Sequence, residues 1–256
     1  MAIASPREEK PRSGKTIIVT GGSNGIGQAL VLRLAEEGAH ILICDIADAS
    51  ESVALAAGAP GTAEWLRCDL SDSGSIAEFA SDIAARGIDV DAIVHAAGIY
   101  PMKPIEEIDS DEWRRVFAIN IDSLYYLVRA FMPAMRTRGW GRIVAITSNT
   151  FQLGVANLTH YVASKGAVIG FLRSLSREVG DWGITVNGVA PSITRTKTVE
   201  SEPQRRELLE PLSKLQCIKR VAVPGDYGGI VSFLLSDDAA FITGQNIVVD
   251  GGWTHN

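Results

Sequence analysis

The chain has 256 residues, 46% hydrophobic and 21% charged, a globular composition that excludes collagen-like, disordered and disulfide-scaffold classes. With 24 Lys and Arg against 30 Asp and Glu the formal net charge is −6, so the chain repels a phosphate backbone and nucleic acid is not an expected partner. Its three cysteines, Cys44, Cys68 and Cys217, form no CxxC pair; Cys44 and Cys68 adjoin apolar runs and fit buried reduced thiols in a cytoplasmic protein.

Residues 1–13 carry two prolines, mixed charge and no apolar h-region, which predicts a flexible arm rather than a targeting signal. Nowhere do about 18 uncharged apolar residues run together, so no membrane span is expected. From residue 16 short apolar runs alternate with helical stretches. Thr16–Thr20 reads as a strand, followed by a glycine cluster and a helix over 25–37 with Ile26, Ala29, Leu30 and Leu34 at helical spacing. His40–Cys44, Ala92–His95, Arg142–Ile146, Thr185–Val189 and Ile247–Val249 read as further strands. Helices are expected around 74–86, 111–136, 160–179 and 225–235. Apolar runs without polar alternation indicate strands buried on both faces, as in parallel sheets. The order predicts one α/β domain over 14–256, a doubly wound parallel sheet with helices on both faces. Segment 197–223, with Pro203, Pro211 and four leucines, reads as one or two short amphipathic helices covering the substrate, or as a solvated connection.

Two glycine motifs compete for a phosphate. Gly14-Lys15-Thr16 has the tail of a P-loop, but Glu9 stands where that motif needs its first glycine, and the tripeptide precedes a strand instead of opening a helix. Thr20-Gly21-Gly22-Ser23-Asn24-Gly25-Ile26-Gly27 follows a strand and opens a helix, where unpaired N–H groups and the helix dipole suit a dinucleotide pyrophosphate. Asp45 ends the next strand, positioned to bind the ribose hydroxyls and repel a 2′-phosphate, and no Lys or Arg occurs from Ile46 to Leu66. NAD is therefore expected over NADP, and no metal.

Ser148 follows the strand Arg142–Ile146 at its C-terminal edge, where open α/β sheets bind ligands. Tyr161 and Lys165, four apart, share one face of a helix. Hydride removal from an alcohol carbon also requires removal of the hydroxyl proton, and a phenol with a pKa near 10 needs help to act as a base. A neighbouring ammonium and a cationic nicotinamide ring both favour the phenolate, while a serine hydroxyl polarises the substrate oxygen.

Taken with Asp69, Ala97-Gly98, Asn120 and Asn187…Pro191, these motifs resemble, in order and spacing, the shorter subclass of short-chain dehydrogenase/reductases over about residues 13–253. The resemblance implies a Rossmann-type fold, a homotetramer with 111–136 and 160–179 at its interface, and catalysis by Asn120, Ser148, Tyr161 and Lys165. Tyr161 would be the acid/base, Ser148 the substrate-oxygen donor, and Lys165 the ribose ligand that lowers the phenol pKa. Asn120 would help hold a proton-relay water. Cofactor contacts are implied for Gly21, Ser23, Asn24, Gly25, Ile26, Gly27, Asp45, Ile46, Asp69, Leu70, Ala97, Gly98, Tyr161, Lys165, Pro191, Thr194 and Thr196. Two departures stand out: His95-Ala96 replaces the family's Asn-Asn, and Ser192 replaces the glycine after Pro191. His95 reads as a structural histidine, and Ser192 as a residue that reshapes the backbone beside the nicotinamide. His160 reads equally as a pocket or a surface residue.

Several stretches, including Ala97–Pro101, Gly139–Arg142 and Phe241–Gln245, are similar to NAD-dependent 1-phenylethanol dehydrogenases; Ser148–Phe151 is also similar to pyridoxal 4-dehydrogenases. Tyr100, Met102, Phe151, Leu153 and Ile193 are the expected pocket, with Leu208, Leu209 and Leu212 above it. An apolar, partly aromatic pocket suits a small hydrophobic, aryl-bearing secondary alcohol or ketone. The alternatives are a polar ring alcohol and a non-catalytic cofactor-binding protein.

Overall fold

The computed structural model describes residues 12–255, so most of the arm expected at 1–13 lies outside the described residues. Arg12 is already docked: it is buried, and its N–H donates to the Glu37 carbonyl at 2.9 Å. Seven strands are described: β1 (Thr16–Thr20), β2 (His40–Asp45), β3 (Thr62–Arg67), β4 (Ala92–His95), β5 (Gly141–Ile146), β6 (Ile184–Pro191) and β7 (Asn246–Val249). All pair in parallel, in the order β3-β2-β1-β4-β5-β6-β7. Chain order reverses between β1 and β4, and the crevice beyond their C-terminal ends is the natural ligand position in such a sheet.

Successive residues of the central strands feed two separate cores, because side chains alternate across a sheet. On one face Ile18, Leu42, Ile93 and Ile143 pack with α3 (Ser73–Ala85), α5 (Ser123–Arg138) and α7 (Thr159–Val179). On the other Ile17, Val19, Ile41, Ile43 and Val94 pack with α1 (Gly25–Glu36) and α10 (Gly228–Leu234). This double burial explains why β1, β2, β4 and β5 lack polar alternation.

The helix expected at 111–136 is two helices. The first, α4 (Ser110–Phe117), is capped by Asp109, whose carboxylate accepts from the Asp111 and Glu112 N–H groups. A π turn over Ala118–Asp122 then separates it from α5. That widened turn delivers Asn120, fully buried, to the base of the crevice. The edge strand β3 and the short α2 (Ser50–Ala56) add to the expected elements, and 197–223 contains α8 (Lys197–Ser201) and α9 (Pro203–Ser213). The short α6 (Thr150–Leu153) follows β5. Among the described residues no helix is long and apolar enough to cross a membrane, and no cluster of metal-binding side chains occurs.

Ile93 is fully buried in central strand β4 whereas Leu55 on α2 is 57% exposed. Ile93→Ala should therefore cost about 2–5 kcal/mol of unfolding free energy and Leu55→Ala within about 0.5 kcal/mol, read from urea denaturation. Equal costs would refute the two-sided core.

Candidate active site

Thr20 closes the switch point. Its hydroxyl oxygen accepts from the Ala96 and Ala97 N–H groups at 3.0 Å each, tying the end of β1 to the loop after β4. The chains then approach so closely that a Cβ on Gly21 (φ +69°) would stand 2.8 Å from the Ala97 Cα, and one on Gly27 2.0 Å from the Gly21 carbonyl oxygen. These glycines make a bare main-chain cradle at the N-terminus of α1, the shape a pyrophosphate requires. At the rim Asp45 accepts from the Ser23 and Ala47 N–H groups at 3.0 Å each. It is thus fixed to the glycine loop, while Asp48 receives the Ser50 N–H at the start of α2. Ile46 projects beside it, half-exposed. Asp69 accepts from the N–H and hydroxyl of Ser71, which hold its carboxyl below the usual range. These features fit the adenosine half of a dinucleotide.

A cavity of about 230 Å³ opens beside this cradle. Ser148, Tyr161 and Lys165 line it together with Ile26, Gly98, Pro191, Thr194 and Thr196. Tyr161 as a residue is only half-buried, yet desolvation around its hydroxyl dominates and pushes the phenol up to about 12, partly offset by the hydrogen bond with Ser148 and by the charge of Arg205. Lys165 is buried, its Nζ donates to the Ile146 carbonyl at 2.7 Å, and desolvation lowers it to about 8. The Nζ lies 5.7 Å from the Tyr161 ring centroid. The sequence leads one to expect a phenol made more acidic by this ammonium; in the protein alone, loss of hydration outweighs the neighbours and the shift is upward.

The serine is oriented by a residue that sequence reasoning missed. Thr150 donates to Ser148 Oγ from its N–H at 3.2 Å and from its hydroxyl at 2.9 Å. With both acceptor positions used, the Ser148 proton is left to point at an oxygen in the cavity. Ser164 is a second such residue: it accepts from Asn120 Nδ2 at 3.0 Å and donates to the Tyr161 carbonyl at 2.7 Å. Asn120 Oδ1 also receives the Ile99 N–H, and Nδ2 donates to the Ile99 carbonyl. Its amide therefore pins the loop after β4 to the helix that carries Tyr161 and Lys165, a role distinct from the expected water-holding one. Gly98 belongs to the same joint: a Cβ there would meet Asn120 Oδ1 at 3.4 Å and Lys165 Nζ at 3.5 Å.

Other expectations are redistributed. Tyr100, Met102, Leu153 and Ile193 line the cavity, but Phe151 does not: its ring lies against Gly166 of α7, where an added Cβ would be 2.8 Å away, and it borders a separate groove with Arg173 and Gln245. The helix α6 turns it outward. Leu208 and Leu212 cover the cavity, whereas Leu209 is buried with Val199 and Val221 beneath α9. Thr194 donates to the Ser192 carbonyl and bonds the Tyr227 hydroxyl at 2.6 Å, and Thr196 caps α8 through the Val199 N–H. Ser192 has no left-handed backbone, since Asn157 is the only non-glycine at positive φ among the described residues; the replacement leaves the local conformation ordinary. His160 is neither pocket nor surface: it is buried with Nε2 3.3 Å from Glu112 Oε1 on α4.

A family profile described as enoyl-(acyl carrier protein) reductase matches residues 21–254. A cis-4-hydroxycyclohexanecarboxylate dehydrogenase of Sinomonas cyclohexanicum is 35% identical over 94% of this chain and 96% of its own. A cyclopentanol dehydrogenase of Comamonas testosteroni is 33% identical over 94% and 98%. The chain is a short-chain dehydrogenase/reductase. A solved structure from Beutenbergia cavernae, assigned as an NAD(P)-dependent gluconate 5-dehydrogenase and holding NADP at low occupancy, superposes with a TM-score of 0.88 at 36% identity over 96% of this chain and 98% of its own. The dehydrogenase/reductase is thus an oxidoreductase of alcohols or ketones that uses a nicotinamide cofactor. A D-β-hydroxybutyrate dehydrogenase of Rhizobium meliloti also matches, at 30% identity over 94% of this chain and 98% of its own.

Thr150→Val in the dehydrogenase/reductase removes the hydroxyl donor to Ser148 and should lower kcat about tenfold, from loss of about 1.4 kcal/mol of hydrogen bonding, with cofactor affinity unchanged in a fluorescence titration; parental kcat would refute the orienting role. His95 is fully buried, its Nε2 lies 2.7 Å from Ser123 Oγ, and desolvation lowers its pKa from 6.5 to about 3. It stays neutral in the folded state, so stability it contributes is intact above about pH 6.5 and is lost as pH falls towards 3, because only the unfolded chain takes up the proton. His95→Asn should flatten urea stability across that window relative to the parent; an identical pH dependence would refute this.

Proposed function

We propose that the dehydrogenase/reductase interconverts a small hydrophobic, aryl-bearing secondary alcohol and its ketone with NAD. The observation that carries this reading is the cavity wall: Tyr100, Met102, Leu153, Val155, Leu158 and Ile193 flank Ser148 and Tyr161, and no acidic side chain lines it among the described residues. Such a wall favours a flat apolar body by excluding water around it, and gives a polyol few partners. The ring-alcohol relatives support the shape, and the resemblance to 1-phenylethanol dehydrogenases supports the aryl group.

A nicotinamide held by Lys165 and the glycine cradle would supply the hydride acceptor for oxidation of the carbinol carbon. Ser148 donates to the substrate oxygen, and Tyr161 takes the hydroxyl proton on its phenolate oxygen. In reduction Tyr161 returns the proton to the carbonyl oxygen. Because the phenol is shifted upward, oxidation should accelerate with rising pH, whereas reduction uses the protonated form and persists to higher pH. Asp45 supports NAD by facing a 2′-phosphate with a carboxylate. Arg67 is the observation behind a second reading: it lies just beyond the stretch lacking basic residues, exposed and in register with Asp45 on β3, where a cation assists NADP. The half-exposed Tyr125 on α5 supports association of copies through that helix as a homotetramer.

Assayed with 1-phenylethanol and cyclopentanol, the enzyme should turn over with NAD and prefer it to NADP, and Asp45→Ala should erode that preference. Tyr161→Phe should lose about 10²–10⁴-fold in kcat while binding NAD normally. Turnover of neither alcohol, or a parental Tyr161→Phe, would sink the reading.

A further inference from the structure

Besides Leu208 and Leu212, the covering helix α9 sends a charged side chain to the cavity wall. Arg205 of α9 is only 8% exposed, and its guanidinium carbon stands 4.3 Å over the centroid of Tyr100. An N–H of the same group donates to the Tyr100 carbonyl. Tyr100 in turn lies with its centroid 5.7 Å from that of Tyr161, and Thr196 at the start of α8 lines the same cavity. Through Arg205 the covering helix α9 thus bears on one aromatic plate, and the plate bears on Tyr161.

Burying a guanidinium needs a compensating reason. Its carboxylate partner is Glu202, reached by Nε at 2.9 Å and Nη1 at 3.3 Å, and Glu202 is itself 45% exposed. That ion pair alone would form as well in water, as surface pairs three residues apart do. The contacts that draw Arg205 inward are the face and carbonyl of Tyr100. A stacked guanidinium with main-chain bonds has one rigid position, so the charge is held beside the cavity rather than swinging at its mouth.

We infer that Arg205 is a positioning residue for proton transfer: it clamps Tyr100 against Tyr161 and fixes a positive charge on the wall that the phenol faces. This rests on Tyr161 being the acid/base. Closing the covering helices and readying Tyr161 to give up its proton are then one event. The charged and titratable groups around the phenol are Tyr100 from the loop after β4, Lys165 from its own helix, and Arg205 from α9 with its partner Glu202 just before that helix; His160 turns away to Glu112. Arg205 favours the phenolate, while Tyr100 and desolvation oppose it.

The test is 13Cζ-tyrosine NMR of NAD-saturated protein, with Tyr161→Phe assigning the Tyr161 signal. At a common alkaline pH the ionised fraction should fall about tenfold in Arg205→Gln, equivalent to about one pH unit, and recover only in part in Arg205→Lys, which keeps the charge but loses the stacked fork. Glu202→Gln, which unbalances the same charge at an exposed position, should move it the opposite way. The pH limb of kcat/KM for 1-phenylethanol oxidation should shift in step. Equal ionised fractions in parent, Arg205→Gln and Glu202→Gln overturn the inference, as does a loss of kcat uniform in pH, the mark of a loosened lid. A Tyr161→Phe protein as active as the parent would instead refute the acid/base reading beneath it.

Discussion

A phenol pushed up to about 12 by its surroundings keeps its proton at neutral pH, and the acid/base role proposed for Tyr161 needs donors and charges held close by. Almost every feature around Tyr161 answers that need. Ser148 presents its hydroxyl proton because Thr150 occupies its acceptor positions. Lys165, itself lowered to about 8, is tethered to the Ile146 carbonyl so that its charge cannot retreat into solvent. Desolvation thus sets both the difficulty and the remedy: the low-dielectric surroundings that raise the phenol also strengthen each interaction that brings it down.

The fold makes this arrangement stiff. Ser148 follows β5, Tyr161 and Lys165 stand on α7, and Asn120 arrives on the π turn between α4 and α5. Three separate pieces of chain therefore have to be locked in register. Asn120 and Ser164 lock the π turn and α7 to the loop after β4 through hydrogen bonds to Ile99 and the Tyr161 carbonyl, and Lys165 ties α7 to β5 at the Ile146 carbonyl. The cofactor half is fixed independently, by the Thr20 clamp and by close main-chain contacts that only glycine permits at positions 21 and 27.

Much of this is legible in the sequence because its signals are local. Continuous apolar strands announce the parallel sheet, and the glycine cluster, Asp45, Ser148, Tyr161 and Lys165 sit at positions where strand ends or helical spacing explain their grouping. Edge strand β3 escapes because Thr62–Arg67 is half-exposed, carries Glu64 and Arg67, and offers no apolar run. The 111–136 stretch reads as one helix because a π turn leaves hydrophobic spacing nearly intact while rotating α5 relative to α4. Phe151 is misleading for a related reason: its proximity in sequence to Ser148 says nothing about which side of α6 it occupies, and packing against Gly166 decides that.

The residues that refine the chemistry are illegible for a deeper reason. Thr150, Ser164 and Arg205 carry no motif, since their roles exist only once distant segments meet. Arg205 shows this best: within its own helix it reads as a surface residue in a charged stretch, paired three positions back with Glu202. Only the placement of Tyr100, more than a hundred residues earlier, gives its guanidinium an aromatic face and a carbonyl to settle on. In the proposed function the choice of alcohol falls to the covering segment and the loop it touches, where local sequence is least constrained by the sheet. The proposed acid/base set is held by the end of β5, by α7 and by the π turn, whereas α8 and α9 complete the cavity wall that would face the alcohol.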